Sequence, residues 1–152
     1  MSVLLPAPPA TDPSDWPGLV VMAATVLLEA EGEPDEGKLA VACVIRTRMD
    51  TRQRSAASIC LQARQFSCWN VETMERARTR LWAPDPAMWE RCWRASAGAY
   101  WRMLPDPTRG ASHYLNEALT RQGRPDGHLP SWFDEGQVTA RIGQHTFLRL
   151  EG

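Results

Sequence analysis

The sequence predicts one α+β domain, mainly helical, with a few short strands near the C-terminus. Aliphatic runs framed by helix caps fill the first two thirds of the chain, and extended segments punctuated by Gly and Pro fill the last third. Length agrees: 152 residues make one domain by the usual prior. A chain of that size buries roughly 70% of its unfolded surface, so it needs neither disulfide nor metal to fold. Its 43% hydrophobic content is ordinary for a globular protein.

Residues 1–13 read as a disordered, Pro-rich leader, and residues 14–152 as the single domain. Ser14 or Asp15 can cap a first helix whose opening turn tolerates Pro17 and whose body is the aliphatic run 19–28. Gly32 stops it. Pro34 opens a second helix, with Asp35 and Glu36 in its first turn, running through "KLAVACVIRTRM". Ser55 caps a short helix, "AASICLQA"; "RQFSCWN" is a loop; a polar helix runs from about Val71 to Leu81. Asp85 and Pro86 start the clearest helix, to about Met103. On it, Trp89, Trp93 and Tyr100 share one face with Leu104 beyond, a core stripe and not a carbohydrate platform. Cys92, Ala95 and Ala99 form a neighbouring small-residue face suited to close helix packing. After "PDPTRG", a turn, "ASHYLN" is extended, "RQGRPDGHLPSW" is a loop and "IGQHTFLRL" a terminal strand. No internal repeat or second domain is visible.

Charge and cysteine usage narrow the function. Seventeen basic residues nearly cancel eighteen acidic ones, which argues against nucleic acid as the main partner. The distribution is uneven: residues 12–36 hold seven acids and no base, and residues 46–80 hold eight arginines against Asp50, Glu72 and Glu75. The start, "MSVLLPAPPATDPSDWP", lacks a cationic region and does not read as a signal peptide. "LVVMAATVLL" is too short to span a bilayer. The chain is therefore expected to be made in the cytoplasm and not to insert in membranes. Cys43, Cys60, Cys68 and Cys92 contain no C-x-x-C pair, which argues against zinc. Cys43 and Cys92 read as buried thiols, whereas Cys60 and Cys68 flank a short segment and can pair in an oxidising compartment.

The chemistry concentrates in "LLEAEGEPDEGK", residues 27–38, where five carboxylates crowd behind an aliphatic helix. Asp35 and Glu36 suit the positive end of the second helix, Glu33 its N-cap neighbourhood, and Glu31 open solvent. Glu29 is left over, in the last turn of an apolar helix, one turn before Glu33 and on its face. Helix end, acidic neighbours and apolar surface all disfavour the ionised form. A carboxylic acid that keeps its proton near neutral pH is what glycosidic cleavage asks of a general acid. A solvated acidic linker explains the same residues without chemistry. A calcium site fits poorly, because the spacing departs from a D-x-D-x-D-G loop.

Three ordered blocks carry a family resemblance. "EAEGEPDEGKLAVACVIRTR" resembles the first motif of the spore cortex-lytic (SleB-type) cell-wall hydrolases, roughly E-A-x-G-E-P-x-E-G-x-x-A-V-A-x-V-I-x-N-R. "SICLQARQFSCW" resembles that family's segment with a cysteine followed by Gln-Phe-Ser, and "DPTRGASHYLN", "PSWF" and "IGQHTFLR" resemble its C-terminal block. The resemblance implies a lysozyme-like α+β fold acting on peptidoglycan glycan strands, with no cofactor and no metal. It puts the catalytic acid at Glu29 and implies a lytic transglycosylase that leaves 1,6-anhydro ends. Glu33 matches the second glutamate of the motif, a substrate-binding candidate for which capping, or a hydrogen bond to an adjoining loop, is the stronger expectation. Gln65, Phe66 and Ser67 match the Gln-Phe-Ser segment and would line the groove floor. In "ASHYLN" side chains alternate, so Tyr114 and Asn116 share a face and are the preferred pair for sugar binding. His113 stands between a binding and a structural role, and Trp132 between sugar stacking and core packing. His145 reads as structural. The sequence departs from the pattern at Thr47, where the family has Asn, and in a short segment between "SCWN" and "DPAMW". With no export signal read, the expectation is a monomeric endolysin of the phage type, reaching the periplasmic wall through a holin-type release partner. A hydrolysing muramidase, a non-catalytic peptidoglycan-binding module and a structural helical domain are the alternatives.

Overall fold

The structure, a computed structural model, describes residues 12–62, 66, 69 and 85–151. Its centre is helix α1, Gly18–Ala30. Every residue from Val20 to Leu27 is at most 3% exposed, so the helix is covered on all sides and lies in the interior. The one polar residue of that stretch, Thr25, is satisfied locally. Its Oγ1 donates to the Val21 carbonyl at 2.8 Å and accepts from the Trp69 indole N–H at 2.8 Å. Capping differs from the expectation. Asp12 accepts from the Ser14 amide and opens a 3-10 turn over Pro13–Asp15, with Pro13 buried, while α1 itself starts without a side-chain cap.

Around α1 pack α2 (Asp35–Arg52), α3 (Ala56–Cys60) and α4 (Pro86–Tyr100). The acids Asp35 and Glu36 sit in the first turn of α2, where the helix dipole favours them. Ser55 caps α3 and Asp85 caps α4, both as read from sequence, although each helix stops three residues short of its expected end. In α4 the small face of Cys92, Ala95 and Ala99 is buried against α1 and α2. Trp89 is buried too, with its ring 6.3 Å from Trp93. The expected polar helix 71–81 and most of "RQFSCWN" lie outside the described residues. Cys43, Cys60 and Cys92 are buried free thiols, and Cys68 is not described.

Three strands form an antiparallel sheet in the order β1–β3–β2: β1 is His113–Leu115, β2 Val138–Ile142 and β3 His145–Leu148. The single strand expected over "IGQHTFLRL" is corrected by this register. Ile142 ends β2 opposite His145, and Gly143 and Gln144 form a two-residue turn. Gly143 has φ +57°, a left-handed value that glycine adopts freely, and a continuous strand cannot pass through it. A short helix, α5 (Glu117–Gln122), follows β1, capped by Asn116, whose Oδ1 accepts from the Leu119 amide at 3.0 Å. Buried Arg48 of α2 ties the sheet to the bundle, its Nε donating to the Ser112 carbonyl at 2.7 Å. The Ser112 hydroxyl in turn accepts from the amides of Leu150 (2.9 Å) and Glu151 (3.1 Å). Among the described residues no helix is long and apolar enough to cross a membrane.

Candidate active site

The C-terminal end of α1, the α1–α2 turn, the β1–α5 junction and the β2–β3 turn enclose a cleft of about 430 Å³. Glu29, Glu33, Tyr114, Asn116, Gln144 and His145 line it. Glu29 enters from the last turn of α1 and is half-buried. Below it the turn is pinned by Lys38, the only lysine in the chain, which is 1% exposed. Its ammonium donates to the Glu31 carbonyl at 3.0 Å and also to the Glu33 carbonyl. A cation on the carbonyls just past a helix C-terminus offsets the negative potential there.

Glu33 is committed to the sheet. Its Oε1 accepts from the Gln144 amide at 3.0 Å and lies 3.1 Å from His145 Nδ1. That second approach is close but misses hydrogen-bond alignment, so buried Nδ1 has no hydrogen-bond partner among the described residues. A Cβ on Gly143 would stand 2.7 Å from Glu33 Oε2, so any larger residue there would displace the Glu33 carboxylate. The expectation that Glu33 bonds to an adjoining loop holds, and the loop is the β2–β3 turn.

Tyr114 reaches the cleft over an aromatic base. Its ring centroid is 4.9 Å from His145, 5.8 Å from Phe147 and 6.5 Å from Phe66. Phe66 is 2% exposed and sits between Tyr114 and the Arg48 guanidinium, 5.2 Å from its ring. It therefore backs the cleft instead of forming its floor. Gln65 and Ser67 lie outside the described residues. Asn116, just past β1, lines the cleft together with Tyr114 and Leu115, with its amide nitrogen 3.3 Å from Gln144 Oε1. His113 points to the other face of the sheet. There its Nδ1 meets the Ser112 hydroxyl at 2.9 Å and its ring packs 5.4 Å from Trp132. Neither His113 nor Trp132 borders the cleft. His145 and Leu119 do, and both were outside the binding set expected from sequence. The signals were the Gly143–Gln144 hairpin turn and the Asn116–Glu117 cap. Thr47 lines a separate small cavity with Cys43, Arg46 and Asp106, away from Glu29.

Burial dominates the electrostatics. It pushes the His145 imidazole below its ordinary pKa, with the Glu33 charge opposing. Burial, with the Arg48 charge second, does the same to His113. The Cys60 thiol is pushed up to about 12, mainly by burial, with the Glu29 charge also raising it and a Thr25 hydrogen bond opposing. Cys60 is thus an inert thiol behind the acid. Among the described residues no cluster of three or more His, Cys, Asp or Glu is arranged to hold a metal ion. A larger cavity of about 500 Å³ lies between the N-terminal halves of α2 and α4, lined by residues such as Asp35, Leu39 and Arg91. It lacks Glu29 and every sheet residue, so the cleft at Glu29 is the better catalytic candidate.

The cleft thus sets a carboxylate at a helix end across from a small antiparallel sheet. The chain belongs to the cell wall hydrolase family, whose profile matches residues 32–148. The match begins three residues after Glu29. Two solved structures share the fold. The catalytic domain of the Bacillus cereus SleB protein superposes with a TM-score of 0.63 at 24% identity, covering 94% of this chain and 95% of that one. The catalytic domain of the germination-specific lytic transglycosylase SleB from Bacillus anthracis gives 0.60 at 24% identity, covering 94% and 100%. Among curated proteins nothing matches the chain.

Proposed function

We propose that the protein cleaves the bond between N-acetylmuramic acid and N-acetylglucosamine in peptidoglycan, as a lytic transglycosylase with Glu29 as general acid. The carrying observation is the place of Glu29, which stands in the last turn of α1 and borders the cleft across from the sheet. Glu33 lines the same cleft and accepts a hydrogen bond from the Gln144 amide. Glycosidases that admit water work with two carboxylates at a defined separation. With Glu33 engaged, the cleft offers one, which suits ring closure by the muramoyl C6 hydroxyl. Glu29 passes its proton to the bridging oxygen, the C1–oxygen bond breaks, and the resulting Glu29 carboxylate takes the proton of the C6 hydroxyl as C6 oxygen bonds to C1. Family membership and the fold shared with the B. anthracis lytic transglycosylase domain support this reading. Tyr114 and Asn116 are the sugar-binding pair, and no cofactor takes part.

Purified protein should clear peptidoglycan suspensions and release muropeptides whose masses show anhydro ends. Glu29→Gln should lower turnover by about 10²–10⁴-fold while leaving the melting temperature in place. Hydrated reducing ends would make the enzyme a muramidase, and sedimentation with peptidoglycan without soluble product would make it a binding module. Lytic use with a holin-type partner belongs to the same proposal. Cells expressing the protein in the cytoplasm should then stay intact until the membrane is permeabilised.

A further inference from the structure

The β2–β3 turn places Gln144 in the wall of the cleft with one end of its side chain engaged and the other open. We propose that Gln144 is a specificity-determining residue that reads a 2-acetamido group of the glycan, its Nε2 donating to the acetyl carbonyl while Leu119 receives the methyl. On the reading that the glycan is cut beside Glu29, this names the sugar substituent that the site selects.

Three hydrogen bonds fix how Gln144 presents itself. Its main-chain amide donates to Glu33 Oε1 at 3.0 Å, which anchors the hairpin to the α1–α2 turn. Asn116 Oδ1 accepts from the Leu119 amide at 3.0 Å, so the other end of that side chain, Nδ2, is a donor. It donates to Gln144 Oε1 at 3.3 Å. The Gln144 side chain is thereby oriented: its oxygen is engaged, and Nε2 keeps both N–H groups without a partner among the described residues. Gln144 is exposed and borders the cleft together with Glu29, Asn116 and Leu119.

The surroundings select the chemistry of the ligand. Glu33 lines the same space and disfavours an anion, so a neutral oxygen suits Nε2. Leu119 is 63% exposed, and its own amide makes the bond that orients the Asn116–Gln144 pair. An exposed leucine beside an amide donor fits a group that offers a methyl next to a carbonyl. Sugar hydroxyls offer no methyl. The 2-acetamido group, which both N-acetylglucosamine and N-acetylmuramic acid carry, offers methyl and carbonyl together. Because Gln144 is held at main chain and side chain, binding costs it little rotamer freedom. No proton moves in this contact, so Glu29 remains the group that carries the proton.

A cycle between residue and substituent tests the proposal. Values of kcat/KM for wild type and Gln144→Met are measured on intact peptidoglycan and on peptidoglycan de-N-acetylated at glucosamine or at muramic acid. Methionine keeps the length of the side chain and removes both donors. The loss caused by Gln144→Met should be about fivefold larger on intact wall than on one of the deacetylated walls, the size expected for one hydrogen bond to a neutral acceptor. The wall on which the loss shrinks names the sugar, and re-acetylating it with acetic anhydride should bring the full loss back. Leu119→Ser should show the same pattern, which keeps the test decisive if the turn variant does not fold. Losses of equal size on all three walls, the result of a Gln144 that only braces the hairpin, would overturn the proposal. A wild type that releases no muropeptide from intact wall would instead sink the functional reading beneath it.

Discussion

Gly143 shows how one backbone position can govern a side chain of the cleft. Its φ of +57° closes the β2–β3 hairpin, and its missing Cβ makes room for the Glu33 carboxylate. Gly143→Ala should cost about 1–2 kcal/mol for the left-handed backbone alone. It should also displace Glu33, so activity should fall more than the change in thermal stability accounts for. Gly143→Asn tests which effect dominates: asparagine tolerates the backbone angle better but brings the same Cβ, so stability should partly recover while activity stays low. The neighbouring His145 shows the limit of sequence reading at this scale. The contact between the turn and Glu33 spans 111 positions, and no local pattern announces it. Phe66 makes the complementary point. The motif marks it as a residue of the site, but whether an aromatic ring faces a cleft or supports it from behind depends on what packs across it.

Among elements, the α1–α2 turn forms one wall of the cleft, and Lys38 holds it. A buried ammonium bridging the carbonyls of Glu31 and Glu33 keeps the end of α1 in register with the sheet. Lys38→Met fills similar space but leaves those carbonyls without their donor. It should destabilise by about 1–3 kcal/mol, read from chemical denaturation. It should also remove the cation that offsets the end of the helix carrying Glu29, so the alkaline limb of the activity profile should move to higher pH. An unchanged limb would mean that the ammonium acts on folding alone. This element was half legible. The crowding of acids at residues 29–36 followed from capping and periodicity, which are local. The part played by the lysine beneath them was not legible, because single-sequence patterns do not show which turn of a helix another loop will cover.

For the whole molecule, the link between bundle and sheet decides whether the two walls of the cleft stay together. Arg48 reaches the Ser112 carbonyl, and Arg52 holds Glu151 through two bonds of 3.1 and 2.7 Å. The hydrogen bond from Arg52 holds the Glu151 carboxyl below its ordinary pKa, with burial opposing. A carboxylate depressed in the folded state contributes stability above its unfolded pKa, about 4.3, and loses it as pH falls through the lower folded value. Thermal midpoints of wild type and Glu151→Gln should therefore differ at pH 6 to 7 and converge on acidification. A difference that persists at pH 2 would assign the clamp to packing and not to charge.

The sequence by itself determined the class: helices from caps and aliphatic runs, and the family from three ordered motifs, which also mark Glu29 as the candidate acid. Those features depend on neighbours within a few positions, where periodicity and capping chemistry act. Only the tertiary structure decided that Glu33 accepts from the β2–β3 turn, that His145 borders the same cleft as Glu29, that Asn116 caps a helix while bordering the cleft, and that His113 and Trp132 pack together away from it. Each of those depends on which hairpin returns to which helix end. That choice is made by burying α1 and docking the sheet through Arg48, a balance of the whole core that no short stretch of chain contains.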